Sequence, residues 1–374
     1  MMVSRSWPTV ERSGVSLAAQ KHAKMLIDLG HELHVLGSNA AIEQESLNAK
    51  KYYIPSSGSG ALYAPAKVDK KLLQDTIHSI SPDLIILETW QTALTEAAID
   101  VAYEKKIPSL MISHGISIHP YSNTVRNWIR YLAWLPYQYF FLTSRMKKLT
   151  AITALDLNVK SPRFYDRDLA RSLHKPVFEL TNSPAIKVLS IKARSDRSNQ
   201  ILVVGYFSEV KNQLGALAIL NELPTSLTMK FVGKREGAYY LCCQEFVKQH
   251  QLEARAIFCE DHEVDLVTEF SHSILVLQTS ITEALPITLL ESMASGTPFV
   301  ATPVGAVAAL EGGLHASELS SHVKAVNQLI ADELLWSQLS EQGKSSCAER
   351  YTDAKVREQL CIAVEKTVAL ALKG

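Results

Sequence analysis

The chain has 374 residues, a length that exceeds one ordinary domain and fits two domains of about 150–200 residues each. Lysine plus arginine and aspartate plus glutamate each number 38, so the formal net charge is zero, which argues against general binding to a nucleic-acid backbone. Hydrophobic residues make up 47% of the chain, enough for a sizeable core, and the five cysteines include no CxxC pair. The composition therefore predicts a globular protein of a reducing, cytoplasmic compartment, without a disulfide framework or a zinc site.

Short runs of β-branched residues and leucine alternate along the chain with longer stretches of helical periodicity. A run that is apolar at nearly every position is typical of a strand covered on both faces, as in a parallel sheet. The first run is so short that either its strand has only a few residues or the natural start lies upstream. In chain order, the predicted strands are 1–4, 33–36, 84–87, 109–113, 149–153, 177–181, 201–204, 228–232, 256–259, 274–278 and 299–302, with residues 17–29 as the first helix.

These strands are too many for one compact sheet of ordinary size, and the polar, charged stretch 183–200 interrupts their pattern. The alternation predicts an α/β fold of two doubly wound, Rossmann-like domains, residues 1–185 and 186–351, with a cleft between them. A final helix, 352–374, is expected to pack back on the first domain. Ligands of such sheets bind beyond the carboxyl ends of the strands. No apolar run reaches the length of about 18 residues that a transmembrane helix needs.

The segment 280–305 has the features of a helix that begins at a ligand site. It follows a predicted buried strand, Pro286 suits the first turn of a helix, and Gly296 suits the helix end. Backbone amides at the start of this helix would lack partners and, together with the helix dipole, would form an anion site. The amides concerned are those of Leu285, Ile287 and Thr288.

Two glutamates lie on either side of this predicted anion site, Glu283 just before the helix and Glu291 within it. A carboxylate beside an anion is unfavourable unless it contacts an uncharged group, and sugar hydroxyls are natural hydrogen-bond donors to it. The pattern therefore favours a diphosphate held between two sugars. The alternative is a solvated Glu283 and a structural Glu291.

The segment 280–305 resembles the signature of the retaining glycosyltransferases of family 4, which have the GT-B fold. The resemblance spans nearly the whole chain and implies transfer of a sugar from a nucleotide diphosphate to a hydroxyl of a glycan or lipid-linked acceptor, in polysaccharide or glycoconjugate biosynthesis. It implies neither a metal nor a cofactor. Weaker matches are Gly30-His31-Glu32-Leu33, Ser113-His114-Gly115, Leu180-Thr181-Asn182-Ser183, and the loop from Gly205 to Lys211-Asn212.

The resemblance also implies a role for each matching residue. Glu291 would hold the ribose and Glu283 would face the donor sugar. Lys211 would stabilise the charge that grows on the leaving diphosphate. Glu283, Lys211 and His114 are thus predicted to be catalytic, His114 near the reaction centre with His119 as an alternative, and Gly14 would let the first loop approach the phosphates.

One position departs from the family pattern, because Tyr206 stands five residues before Lys211 where an arginine is usual. Tyrosine can donate one hydrogen bond to a phosphate but carries no charge. Arg5, Arg12 or Lys234 would then supply the missing charge, or the diphosphate would be held more weakly. A sugar-nucleotide-binding protein without turnover remains an alternative, as does a nucleotide-sugar epimerase or a sugar phosphorylase of the same fold.

Two further stretches invite a functional interpretation. Residues 126–148 are rich in aromatic and basic side chains, which is typical of peripheral membrane contact or of a lipid-linked acceptor site; the alternative is a core helix pair broken at Pro136. Asp166-Arg167-Asp168 has the spacing of an Asp-x-Asp metal motif, but it lies in a charged helical stretch. We predict a solvated helix face there and no metal.

Overall fold

The computed structural model describes residues 1–11, 13–59, 61, 64–120, 124–185 and 192–372. The chain divides into two compact units, the first made of Met1–Asn182 and Ala354–Gly374 and the second of Ser183–Asp353. The domain boundary predicted at residue 186 lies outside the described residues, as does the end of the C-terminal segment at residues 373–374.

The first unit is built around a seven-stranded parallel sheet in the order β3-β2-β1-β6-β7-β8-β9, beside a short antiparallel pair, β4-β5. Its strands are β1 (Met2–Ser4), β2 (His34–Gly37), β3 (Lys50–Tyr53), β4 (Ser56–Ser57), β5 (Lys67–Val68), β6 (Ile85–Glu88), β7 (Ser109–Ile112), β8 (Ala151–Ala154) and β9 (Val177–Glu179). Its first helices are α1 (Gly14–Asp28), α2 (Lys70–Ile80), α3 (Ala93–Glu104), α4 (Val125–Pro136), α5 (Thr143–Lys148) and α6 (Tyr165–Ser172), with a π-helix at Tyr137–Leu142 between α4 and α5.

The second unit contains a six-stranded parallel sheet in the order β12-β11-β10-β13-β14-β15. Its strands are β10 (Ser198–Val204), β11 (Thr228–Val232), β12 (Ala256–Cys259), β13 (Ser273–Gln278), β14 (Phe299–Ala301) and β15 (Gly313–His315). Its helices are α7 (Gln213–Glu222), α8 (Gly237–Gln249), α9 (Leu266–His272), α10 (Ile287–Ala294), α11 (Leu319–Ala331) and α12 (Glu333–Arg350), and the chain ends with α13 (Asp353–Ala371).

Apolar side chains cover both faces of the first sheet, which is why its strands are apolar at almost every position. Alternate residues of one strand join different clusters: Ile85 and Leu87 pack in one, and Ile86 packs in the other. The last helix, α13, belongs to the second of these clusters through Val356 and Leu360. The predicted α/β class, with doubly wound parallel sheets, is confirmed.

The order of strands reverses once in each sheet, between β1 and β6 in the first unit and between β10 and β13 in the second. Crossover helices lie on opposite faces to either side of such a point, so the loops beyond the two strand ends diverge and leave room for a ligand. The loops that follow β1, β6, β10 and β13 are therefore the places to examine for a site.

The prediction of a solvated face around residues 163–171 is wrong for Asp166 and Arg167, which are both buried. Asp166 accepts a hydrogen bond from Trp90 Nε1 at 2.8 Å and another from Ser113 Oγ. Burial raises the pKa of Asp166, and these hydrogen bonds partly offset that effect. Asp166 is therefore buried where donors from the loops after β6 and β7 meet it, and Arg167 is buried where it donates to backbone carbonyls of the loop after β8.

The structure also differs from the alternative interpretation of residues 126–148 as a helix pair broken at Pro136, because the helical conformation continues through this proline. Helix α4, the π-helix and α5 follow one another directly, with Pro136 as the last residue of α4. Proline has no N–H and crowds the preceding turn, and the wider π turn begins immediately after it. Within the described part of the chain, no helix is long and apolar enough to cross a membrane.

Candidate active site

In the second unit, two loops meet at the point where the strand order reverses. The loop after β10 and the loop after β13 are joined by the Ile281 amide, which donates to the Val210 carbonyl at 2.8 Å. Thr279 Oγ1 donates to the Asn212 carbonyl at 2.8 Å, and Asn212 Nδ2 donates to the Thr279 carbonyl at 3.2 Å. These bonds fix the two loops against each other before any ligand arrives.

An ion pair between Lys211 and Glu283 lies across these loops. Lys211 Nζ donates to Glu283 Oε1 at 2.7 Å, and Gln278 Nε2 donates to the same oxygen at 3.2 Å. The two side chains are only 20% and 13% exposed, so the pair attracts more strongly than a surface pair would. The Tyr206 ring centroid lies 5.9 Å from the ammonium. Three predicted site residues, Lys211, Glu283 and Tyr206, are thus brought together.

A glycine in a third loop, the loop after β14, allows that loop to approach the backbone of Glu283 closely. Gly305 has φ +58°, and a Cβ at this position would overlap the carbonyl oxygen of Glu283. The next residue, Ala306, donates its amide to the Ala284 carbonyl at 2.7 Å. The close approach of the loop after β14 therefore depends on the absence of a side chain at position 305.

The start of α10 differs slightly from the prediction, because Pro286 is the N-cap and lies outside the first turn. No side chain caps this helix, and the amides of Ile287 and Thr288 find no hydrogen-bond partner among the residues that the structure describes. Leu285, the third residue whose amide was predicted to bind an anion, is buried. The unpartnered amides and the helix dipole make this helix start attractive to an anion.

The other end of α10 is as predicted. Gly296 has φ +61° and donates its amide to the Met293 carbonyl at 3.0 Å, while the Thr297 amide bonds the Ser292 carbonyl at 2.9 Å. This pair of bonds is the Schellman arrangement that ends a helix. Glu291 lies in the second turn of α10, only 6% exposed and four residues after Ile287, so both occupy the same side of the helix.

In the first unit, His114 shares a buried carboxylate with a second histidine. Glu88, the last residue of β6, is fully buried. Its Oε2 accepts from His114 Nε2 at 2.7 Å and its Oε1 accepts from His22 Nδ1 at 2.8 Å. Burial by itself would raise the pKa of Glu88, but the charges and hydrogen bonds of the two histidines outweigh it and hold the pKa at about 2.

The sequence reasoning missed both His22 and Glu88. Two signals were available: Glu88 directly follows a predicted apolar strand, and His22 interrupts the apolar face of α1. Gly14 is the first, exposed residue of that helix, and Ser13 caps it. His119 does not join the carboxylate, because its ring stacks on Tyr131 with centroids 5.9 Å apart.

The three residues proposed to compensate for Tyr206 have different positions. Lys234 lies in the second unit and pairs with Glu236 at 2.7 Å on the surface. Arg5 is an exposed residue that follows β1 in the first unit. Arg12 lies outside the described residues. Within the described ranges, no group of three or more His, Cys, Asp or Glu side chains is arranged to hold a metal ion.

We expect Glu88→Gln to destabilise the protein at neutral pH by about 3–5 kcal/mol, because the buried rings of His22 and His114 lose the carboxylate charge that both of them bind. A carboxyl whose pKa is lower in the folded state stabilises the fold above its unfolded pKa, and this contribution disappears as the pH falls towards 2. The difference in unfolding free energy between wild type and variant, measured by urea titration, should therefore shrink between pH 4.5 and 2.5. A difference that stays constant over this range would contradict the pairing.

The matched control for this measurement is Glu32→Gln. Glu32 also pairs with a cation, Lys50, at 3.1 Å, but the carboxylate is exposed. Because exposed pairs contribute little to stability, this variant should unfold almost like the wild type at every pH.

The two sheets match solved structures of GT-B glycosyltransferases, which confirms the predicted GT-B fold. Anabaena Alr3699/HepE in complex with UDP has 16% identity and a TM-score of 0.72, with 98% of each chain covered. Sucrose-phosphate synthase from Thermosynechococcus elongatus has 14% identity and a TM-score of 0.73, again with 98% of each chain covered. A glycosyltransferase from Rickettsia africae has 14% identity and a TM-score of 0.73, with 99% of this chain and 97% of that one covered.

The family match lies in the second unit. Residues 188–346 match the family described as glycosyl transferases group 1. The matched range contains Lys211, Glu283 and Glu291, and the recognition of a glycosyltransferase from the sequence is confirmed. Curated protein sequences offer no significant match to the chain.

Proposed function

We propose that the protein is a retaining glycosyltransferase of family 4 that transfers a sugar from a nucleotide diphosphate to a hydroxyl of a glycan or lipid-linked acceptor. The observation that carries this proposal is the partly buried Lys211–Glu283 pair, which lies in the range that matches the glycosyl transferases group 1 family, next to the uncapped start of α10. Structures of the similarly folded Anabaena HepE contain UDP and UDP-glucose, which supports a UDP-sugar as the donor.

The proposed donor site stabilises the leaving group by fixed charge. When the glycosyl–phosphate bond breaks, negative charge grows on the departing diphosphate, and preorganised donors lower the energy of that transition state. An ammonium has three N–H donors, so Lys211 can bond a phosphate oxygen while it keeps its bond to Glu283. The amides of Ile287 and Thr288 add the helix dipole. Glu283 then accepts from a hydroxyl of the donor sugar, and Glu291 accepts from the ribose.

Retention follows, in this proposal, from attack on the face that the diphosphate leaves. The acceptor hydroxyl forms the new bond to the anomeric carbon on that face, and the departing phosphate oxygen takes its proton. No side chain is needed as a general base. Glu283 and His114 would orient the sugar by hydrogen bonds, and we infer a role of this kind for both.

The test of this proposal is a thermal-shift panel with UDP, GDP, ADP and their sugars, followed by NMR of the product formed with a matched donor and acceptor. A ligand that binds only the folded state raises its melting temperature, so the matching nucleotide should stand out. Retained configuration at the anomeric carbon supports the proposal and an inverted product contradicts it. Release of an altered sugar nucleotide without any acceptor would instead identify an epimerase.

A second candidate function is sugar-nucleotide binding without turnover. The observation in its favour is Tyr206, an exposed neutral side chain beside Lys211 where the family has a cation. Nucleotide binding by calorimetry with no product from any donor and acceptor pair would favour this candidate.

We further propose that the transfer is independent of metal, since Lys211 and the helix start provide the positive charge. Activity should then survive EDTA at millimolar concentration. Loss of activity in EDTA, restored by Mg²⁺ or Mn²⁺, would contradict this part of the proposal.

We also propose peripheral contact of residues 126–148 with an anionic membrane in the cytoplasm, where the five free cysteines remain reduced. Val125, Trp128, Ile129 and Leu132 recur at helical spacing and are all exposed, which gives α4 an outward apolar face. The π-helix adds the exposed Tyr139, Phe140 and Phe141. The same stretch has five lysines and arginines and no acidic residue, as expected of a segment that binds anionic lipid: Arg126, Arg130, Arg145, Lys147 and Lys148.

The double variant Ile129→Glu/Leu132→Glu should lose most of its binding to vesicles that contain phosphatidylglycerol, because it puts two negative charges on the apolar face. Co-sedimentation measures this binding. Leu334→Glu, at an exposed leucine of α12 in the second unit, is the control and should bind like the wild type. Equal binding by all three proteins would exclude α4 as the contact surface.

A further inference from the structure

The first unit contains a cavity of about 620 Å³ beyond the carboxyl ends of β7 and β8. It is formed by the loop after β7, the loop after β8 and helix α6. The residues of its lining that matter here are His119, Lys160, Tyr165, Arg167, Asp168 and Arg171. Strands of a parallel sheet end on one edge, so the cavity lies on the same edge as His114 and Glu88.

Two positive charges in this cavity are not neutralised by neighbouring side chains. Arg167 is buried and donates through Nε and Nη2 to Asp168 Oδ1, at 2.8 Å in each case, so these two charges cancel. Lys160 and Arg171 are exposed, and neither side chain has an ion-pair or hydrogen-bond partner within the described ranges. The cavity therefore carries a surplus of positive charge although the whole chain is neutral.

The loop that carries Lys160 is already fixed in position. Asp156 Oδ1 accepts the amides of Asn158 at 2.7 Å and Val159 at 2.6 Å. Arg167 Nη1 donates to the carbonyls of Asp156 at 2.9 Å and Val159 at 3.0 Å. A ligand that binds beside a loop held in this way loses little free energy to ordering it.

Neutral aromatic rings complete the lining. His119 and Tyr165 meet nearly edge to face, with centroids 6.2 Å apart. Burial, and then the neighbouring Arg130, lower the pKa of His119, so its ring is uncharged at neutral pH. Amphipathic rings next to cations suit a ligand with an apolar sugar face and a charged substituent.

We propose that this cavity binds an acceptor saccharide that carries a negatively charged group, which Lys160 and Arg171 hold while the sugar ring packs on Tyr165 and His119. A hydrogen bond connects the helix that lines this cavity to the predicted reaction centre: Asp166 of α6 accepts from Ser113, the residue before His114. This inference rests on the proposed function and narrows its acceptor to an anionic one.

The test is calorimetric titration of the full chain with glucose 6-phosphate, glucuronate, glucose and inorganic phosphate. Both charged sugars should bind at least fivefold more tightly than glucose or inorganic phosphate. In Lys160→Gln/Arg171→Gln this advantage should disappear, whereas the control Lys71→Gln/Lys105→Gln, which removes two exposed lysines elsewhere in the unit, should keep it. A preference for glucose 6-phosphate would identify a phosphate as the recognised group, and a preference for glucuronate a carboxylate.

Three results would overturn the inference: glucose binding as tightly as its charged derivatives, inorganic phosphate binding as tightly as glucose 6-phosphate, or unchanged affinities in the Lys160/Arg171 variant. UDP titrated into the same proteins separates this failure from that of the proposed function. UDP binding without charged-sugar binding refutes only the acceptor cavity. Charged-sugar binding without binding of any nucleotide refutes the transferase proposal.

Discussion

Lys211→Ala should lower turnover about 10²–10³-fold, with a smaller loss of donor affinity, because the ammonium is proposed to bond most strongly to the charge that develops on the leaving diphosphate. The variant also removes the ammonium at 2.7 Å from Glu283 Oε1, while the bond from Gln278 to that oxygen at 3.2 Å remains. Steady-state kinetics with the donor found by thermal shift would separate kcat from KM. An equal loss in kcat/KM and in donor affinity would mean that Lys211 binds the ground state only.

The chain provides a closely matched control for this experiment. Lys230 pairs with Glu269 at 2.8 Å in the same unit, and these side chains are 18% and 13% exposed, against 20% and 13% for Lys211 and Glu283. Lys230→Ala therefore removes an equivalent ion pair outside the site. It should keep nearly full turnover, and a comparable loss in this variant would attribute the effect of Lys211→Ala to stability.

Glu291→Ala should weaken binding of the nucleoside diphosphate roughly 10- to 100-fold, since a hydrogen bond to a charged group contributes about 1.5–3 kcal/mol. Calorimetric titration with the diphosphate alone gives this number without any acceptor. Glu269→Ala is the control, because it removes a partly buried carboxylate of the same unit outside the site. Unchanged affinity in Glu291→Ala would remove this residue from the ribose.

The sequence predicted the central strands because burial on both faces leaves a continuous apolar run. Strand β3 was missed: its sequence, Lys-Lys-Tyr-Tyr, is polar, and it lies at an edge of the first sheet where one side needs no partner. The three-residue β15, at an edge of the second sheet, was also missed. These two edge strands lack the apolar runs that allowed the other two edge strands, β9 and β12, to be predicted.

The features of the candidate site that depend on neighbouring residues could be predicted from the sequence, and those that depend on residues far apart in the chain could not. Gly296 as the end of α10 follows from neighbouring residues. The pairing of Lys211 with Glu283 joins residues 72 positions apart, and that of His22 with Glu88 joins residues 66 apart. Asp166 was misjudged for the same reason, because the indole that binds it comes from a different strand end. Composition within one helix does not reveal which charged side chain meets a distant donor.

The contact between Gly305 and the backbone of Glu283 has a consequence for how variation in this chain should be interpreted. Position 305 has no functional group and is not expected to touch a substrate, yet any side chain there would push the preceding acidic turn away from the lysine. Natural substitutions of Gly305 should therefore be as rare as those of a catalytic residue. The geometry of the proposed donor site therefore depends in part on the absence of a side chain at position 305.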